Sequence, residues 1–233
     1  LRKSKMKQVL PDEESPCFIF PEVSANVQGF VRSRVSEQGI YIFSDTGAWT
    51  VDQSVFIFSR HDYNECLTYL FGHVLPLGSS NIEYLAAQET GNQESGSLEN
   101  WRKKKEQGIS SLELNKAYSI IRQELDKGTE KTLAHAKMKL RVRSQMNNIK
   151  VIFGGGGHST NPYGHGVLAP FSGHLFAGPV EPEIISIPTP YDLEIKENQK
   201  RWLKRLTVAY GLSFEKSELA RFIYPKDVTI PSP

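Results

Sequence analysis

The chain has 233 residues, 39% of them hydrophobic and 23% charged, with a formal net charge of +2 at pH 7; it can bury a real core, and it is too near charge balance to make nucleic acid or a membrane surface its main partner. Its two cysteines, Cys17 and Cys66, are far apart and form no C-x-x-C pair, which excludes a disulfide framework or zinc ribbon and fits a reducing, cytoplasmic setting. No apolar stretch approaches the roughly 20 residues that cross a bilayer, and the opening LRKSKMKQVL lacks a signal peptide's apolar centre, so a soluble, non-secreted protein is expected.

The first residue is Leu1 rather than Met, and the sequence is read as a piece of something longer. Residues 1–16 are polar, carry Pro11 and Pro16, and read as a linker. CFIF at 17–20 reads as a short buried strand, and PEVSANVQGFVRSRV places Val23, Val27, Phe30 and Val31 at helical spacing behind Pro21. Three strand-like runs follow at 39–45, 51–59 and 66–78, and NIEYLAAQE then starts a helix. Three strands feeding a helix predict an antiparallel meander with a crossover, an α/β arrangement.

Composition changes after Gln88. TGNQESGSLENWRKKKEQG reads as an exposed loop with one charged helical turn, its basic run Arg102 to Lys105 a solvated face. Two helices are predicted around Ser111 to Asp126 and Glu130 to Met146, with Gly128 of DKGTE as the stop between them. Together 81–149 read as a helical insertion. The strand pattern resumes with IKVIF, PVEPEIISIPTP is a proline-bounded strand, and QKRWLKRLTVAYGLSF reads as an amphipathic helix. There is no internal repeat.

Two stretches carry possible chemistry. In FSDTGAWTVD an apolar run ends in Asp45 and a small-residue turn before a second apolar run begins at once, as a tight hairpin requires. In KVIFGGGGHSTNPYG a strand runs into Gly154, Gly155, Gly156 and Gly157; four glycines are entropically costly unless the backbone must approach something closely or take positive φ. No Gly-Lys-Ser/Thr follows, which excludes a Walker phosphate loop. The stretch arrives too late in the chain for a dinucleotide fingerprint. His158, His165 and His174 lack metal-ligand spacing, and Ser159 beside His158 has no oriented acid.

Taken in order, the Asp45-x-Gly47-x-x-Thr50 hairpin, the helical insertion, the strand ending in Gly154 to Gly156 and the late VAYG helix resemble the second half of the nucleotide-binding domain of the actin, heat-shock chaperone and sugar kinase ATPase superfamily, most of all its heat-shock chaperone branch. FPEVSANVQGF is similar to that family's first connecting helix, RLTVAYGLS to its second, where Ala-x-Gly lets two helices pack closely, and LGSSNIE to the turn after its third strand. The resemblance spans about 17–225. It implies an α/β, ribonuclease H-like (actin-like ATPase) domain with a core at 17–80 and 150–233 and an inserted helical subdomain at 81–149.

For function, the resemblance implies ATP or ADP with Mg²⁺, clamped against a first domain, with a protein client or self-association as further partners. Asp45 would act catalytically and hold Mg²⁺ through water; Gly47, Ala48 and Thr50 would offer N–H or hydroxyl donors to the phosphates. Gly154, Gly155 and Gly156 would line the adenosine pocket, and His158 would stack on adenine. The family's adenine- and ribose-holding glutamate and lysine have only Glu99 and Lys103 as candidates. Trp49 stands where the family has a small residue, and no first phosphate hairpin precedes Cys17. The rival readings are a catalytically inactive nucleotide-sensing or scaffold module, in which Trp49 blocks the phosphates, and a filament-forming cytoskeletal relative.

Overall fold

A strand buried on both faces reads as an unbroken apolar run, because successive side chains enter opposite layers. GIYIFSDT does so. In a computed structural model of the chain, which describes residues 21–33, 36–61, 64–91, 95–156, 161–190, 193, 194, 196 and 202–228, these residues form β1 (Gly39–Thr46). Ile40 and Ile42 enter one core with Val51, Val55, Leu70, Ile82 and Leu125, while Tyr41 and Phe43 enter a second with Val27, Phe30, Phe56, Phe58 and Ile152. The linker expected at 1–16, the strand expected at 17–20 and His158 lie outside the described residues.

The meander is present: β1 pairs antiparallel with β2 (Val51–His61), and β2 with β3 (Asn64–Leu75), with a register shift at Val55/Phe56. β4 (Lys150–Gly155) then joins the other edge of β1 in parallel, and β5 (Glu183–Ile185) joins β4 in parallel. A short β6 (Arg221–Ile223), which the sequence reading missed, pairs parallel to β3 and completes the order β5-β4-β1-β2-β3-β6.

The helix expected behind Pro21 breaks at Val27 into α1 (Glu22–Asn26) and α2 (Gln28–Val31); Asn26 and Gly29, poor helix formers, flank the break. α3 (Ser79–Glu89) begins where expected. The single charged turn expected after it is instead a full helix, α4 (Ser95–Glu106), packed on α3. The two helices expected over 111–146 are one, α5 (Leu112–Met138), capped by Ser111, whose Oγ accepts from Leu114 N at 3.3 Å. Gly128 is therefore not a stop. A Cβ there would sit 2.7 Å from Leu75 Cδ1, so the glycine lets α5 lie close on β3. Turns and a short 3₁₀ segment, Arg143–Asn148, replace the end of the second helix.

α6 (Tyr163–Leu168) packs on α5. α7 (Leu203–Gly211) returns to α1, and there a Cβ on Gly211 would meet Ala25 O at 2.1 Å. That backbone-to-backbone approach is the close packing expected of Ala-x-Gly. Helices thus cover both sheet faces, with α3 and α5 on one and α1, α2 and α7 on the other. No helix among the described residues is long and apolar enough to cross a membrane.

Candidate functional site

The hairpin between β1 and β2 is closed by Gly47 N–H, which donates to Thr50 O at 2.9 Å. Its carbonyls face the start of α3. Gly78 N donates to Trp49 O (3.0 Å), Ser79 N to Gly47 O (2.9 Å) and Ser80 N to Ala48 O (2.8 Å). These are N–H groups a helix start leaves without intrahelical partners; α3 has no side-chain cap, and the turn substitutes for one. Asn81 Nδ2 adds a bond to Trp49 O at 3.1 Å. A Cβ on Gly78 would lie 2.3 Å from Trp49 C, so only glycine permits this brace.

β1 and β4 bring the two sequence-flagged stretches side by side: Asp45 is opposite Gly154 and Thr46 opposite Gly155. Each described glycine of the run has its own neighbour. A Cβ on Gly154 would fall 2.5 Å from the Phe43 ring, and one on Gly156 would fall 2.8 Å from Arg205 Nε. Gly155 has φ +75°, and a Cβ there would meet Asp45 Oδ1 at 2.3 Å. The glycines are thus required by close approach and, at Gly155, by left-handed backbone.

Asp45 projects toward α1. Asn26 Nδ2 donates to Asp45 Oδ2 (2.9 Å), and Thr207 Oγ1 of α7 donates to Asn26 Oδ1 (2.5 Å). Burial pushes the Asp45 carboxyl up to about 6; the Asn26 hydrogen bond opposes the rise, and the negative charges of Glu22 and Asp52 add to it. A cavity of about 220 Å³ opens here, lined by Asp45, Asp52, Glu22, Asn26 and His73 among others. Thr50 Oγ1 donates to Asp52 Oδ2 at 2.9 Å. No group of three or more His, Cys, Asp or Glu among the described residues is arranged to ligate a metal ion directly.

A larger cavity of about 510 Å³ lies on the other side of the hairpin, lined by Thr46, Gly47 and Ala48 from the turn, Gly156 from the glycine bend, Ser79 and Ile82 of α3, Lys105 and Glu106 of α4, Tyr118, Asn161 and Arg205. It joins the hairpin to the glycine bend. Thr50, Gly154 and Gly155 are not among its lining residues, and Asp45 opens to the smaller cavity instead. Trp49 is 58% exposed and rests on Tyr84, ring centroids 5.7 Å apart, clear of both cavity linings.

Glu99 and Lys103 pair with each other at 2.9 Å, both exposed, and line neither cavity. The basic run beside them is not uniformly a solvated face. Lys105 Nζ lies 2.7 Å from Glu83 Oε1 and Arg102 NH2 3.1 Å from Glu83 Oε2, the Glu83 side chain being 3% exposed. Leu98, Trp101, Arg102 and Lys105 are spaced 3, 4 and 7 apart, the stripe of an inward-facing helix, and that spacing was the signal for Lys105. Nothing in the sequence sets Arg205 apart from its basic neighbours.

No family model and no curated protein matches the sequence. Among solved structures, the chain is similar to a chain of the PilM-PilN type IV pilus biogenesis complex, with 16% identity and TM-score 0.51, covering 82% of this chain and 50% of that one. It is also similar to the pCBH ParM non-polymerisable quadruple mutant, with 16% identity and TM-score 0.52, covering 84% of this chain and 54% of that one. The chain therefore spans about half the length of the structures it matches. At this identity the likeness is one of fold, the ribonuclease H-like, actin-like ATPase architecture expected from the motifs.

Proposed function

We propose that this chain is the ATP- and Mg²⁺-binding half of an actin-like ATPase of the heat-shock chaperone type, with a core at 17–80 and 150–233, a helical subdomain at 81–149, and a first domain against which nucleotide is clamped. One observation carries the reading: the tip of the acid-bearing hairpin and the glycine bend open into the same cavity of about 510 Å³, a volume in the range of small-molecule sites. Two stretches more than 100 residues apart in sequence contribute to its wall, Thr46, Gly47 and Ala48 from one and Gly156 from the other.

The residues fit the ligands. Asp45 is a carboxylate whose charge is disfavoured by burial and by Glu22 and Asp52, an environment that a hydrated dication offsets. Mg²⁺ keeps most of its waters and needs few protein oxygens, which suits Asp45 as a water-mediated ligand. In that cavity Gly47 and Ala48 would offer backbone to the phosphates and Gly156 part of the floor for adenosine; the roles proposed for Thr50, Gly154, Gly155 and His158 rest on the family resemblance alone. When bound, ATP and Mg²⁺ supply the metal-screened phosphoryl group that hydrolysis transfers to water. The chain's own contribution is positioning: Asn26 and Thr207 orient Asp45, and α3 fixes the hairpin.

The Trp49 ring lies on Tyr84, clear of both cavity linings, which favours the nucleotide reading over a scaffold in which Trp49 blocks the phosphates. Partners are proposed to be the first domain, together with a protein client or further copies of the protein; light scattering with ATP separates polymerisation from client binding. In the intact protein, Asp45→Ala is expected to abolish Mg²⁺-dependent ATP turnover with little loss of stability. Unchanged turnover refutes the assignment.

A further inference from the structure

We propose that Glu83 is a positioning residue for ligand recognition: it holds the Lys105 ammonium at the wall of the larger cavity, ready to donate to an oxygen of a bound nucleotide's sugar–phosphate part. The inference rests on the nucleotide reading above and names a residue two steps removed from the ligand. It starts from a buried charge. Glu83 lies on the inner face of α3 with its side chain 3% exposed, and a carboxylate so placed is unfavourable unless paired.

Its partners both come from α4. Lys105 Nζ donates to Glu83 Oε1 at 2.7 Å, and Arg102 donates through NH2 to Oε2 at 3.1 Å and through Nε to both oxygens at 3.3 Å. The two cations are not equivalent. Arg102 is half exposed and lines a shallow surface depression with Leu98, Glu99, Lys103 and Glu106, whereas Lys105 is 18% exposed and lines the larger cavity. Lys105 Nζ also donates to Ser79 O at 2.9 Å. Ser79 N is itself bonded to Gly47 O in the hairpin. The ammonium is thus tied, through one residue, to the turn that would carry the phosphates.

An ammonium has three donors. Two are taken by Glu83 and Ser79, which leaves one for an acceptor in the cavity. Glu83 and its two cations sum to a single positive charge, which Glu106 on the same cavity wall opposes; the remaining donor is still that of an ammonium, suited to a charge-assisted bond with a phosphate or sugar oxygen. A lysine on an exposed helix samples many rotamers; this one is fixed before the ligand arrives, which reduces what binding must order.

The test uses a fluorescent ADP analogue with the intact protein, displaced by unlabelled ADP in the presence of Mg²⁺. Lys105→Gln and Glu83→Gln are each expected to weaken ADP binding about tenfold, the scale of one hydrogen bond to a charged group. The double variant should lose no more than Lys105→Gln alone, since Glu83 acts through Lys105. Arg102→Ala, which removes the other half of the same ion-pair network, should leave affinity within about twofold while lowering the melting temperature. A merely structural Glu83 would move the melting temperature and leave the ratio of affinities at one. Unchanged affinity in Glu83→Gln, or a loss that adds to that of Lys105→Gln, overturns the inference and leaves the nucleotide reading standing. Failure of the wild-type protein to bind the analogue overturns both.

Discussion

Asp45 is costly as it stands. Its folded carboxyl titrates near 6 against an ordinary 3.8, so the folded state favours the protonated acid. That contribution to stability is complete below about pH 4 and is lost as pH rises through 6; at neutral pH the ionised group is a net cost of about 1–3 kcal/mol. Asp45→Asn keeps an acceptor for Asn26 and removes the charge. Urea unfolding should show the variant more stable than wild type by that amount at pH 7.5 and equal to it at pH 4, and equal midpoints at both pH values would contradict the assigned environment. A carboxylate kept at such a cost supports the role proposed for Asp45. The sequence exposed Asp45 because an acid between an apolar strand and a glycine turn stands out; the stripe through Lys105 marks it as inward-facing but hides its pairing with Glu83, because spacing along one helix carries no information about which helix it will face.

Among the elements, glycines separate what was legible from what was not. Gly154 to Gly156 and Gly211 were read as sites of close approach, and each has a neighbour within 3 Å of its missing Cβ. Gly128 was read as a helix stop, yet it lies inside a helix of 27 residues. Both uses of glycine are local in sequence, but only one is local in space, and the Leu75 side chain that decides the case comes from β3. The two positions make opposite predictions. Gly211→Ala forces a Cβ onto the Ala25 backbone, which neither helix can avoid, and should cost about 2–3 kcal/mol while pulling Thr207 from Asn26. Gly128→Ala meets the Leu75 side chain rather than backbone, which a rotamer change can relieve, and gains helix propensity, so its net effect should stay within about 1 kcal/mol. Denaturant midpoints for the pair check this, and a Gly128→Ala penalty equal to that of Gly211→Ala would show that α5 is as tightly fixed on β3 as α7 is on α1.

In the whole molecule, the sheet holds Asp45 between two helical layers that serve it differently. On one side α1 and α7 orient the carboxylate through Asn26 and Thr207; on the other α3 braces the hairpin and, through Glu83, connects it to α4. The meander and its crossover were readable because strand periodicity and turn residues are local, whereas β6 and the full length of α4 were not, being short or weakly patterned segments settled by tertiary pairing. The central claim is that the two bends form one nucleotide site. Amide hydrogen exchange of the intact protein with and without Mg²⁺–ATP tests it most directly. Protection is expected together at residues 46–48, 105 and 154–156; protection at only one bend, or at neither while the nucleotide is bound, would contradict it.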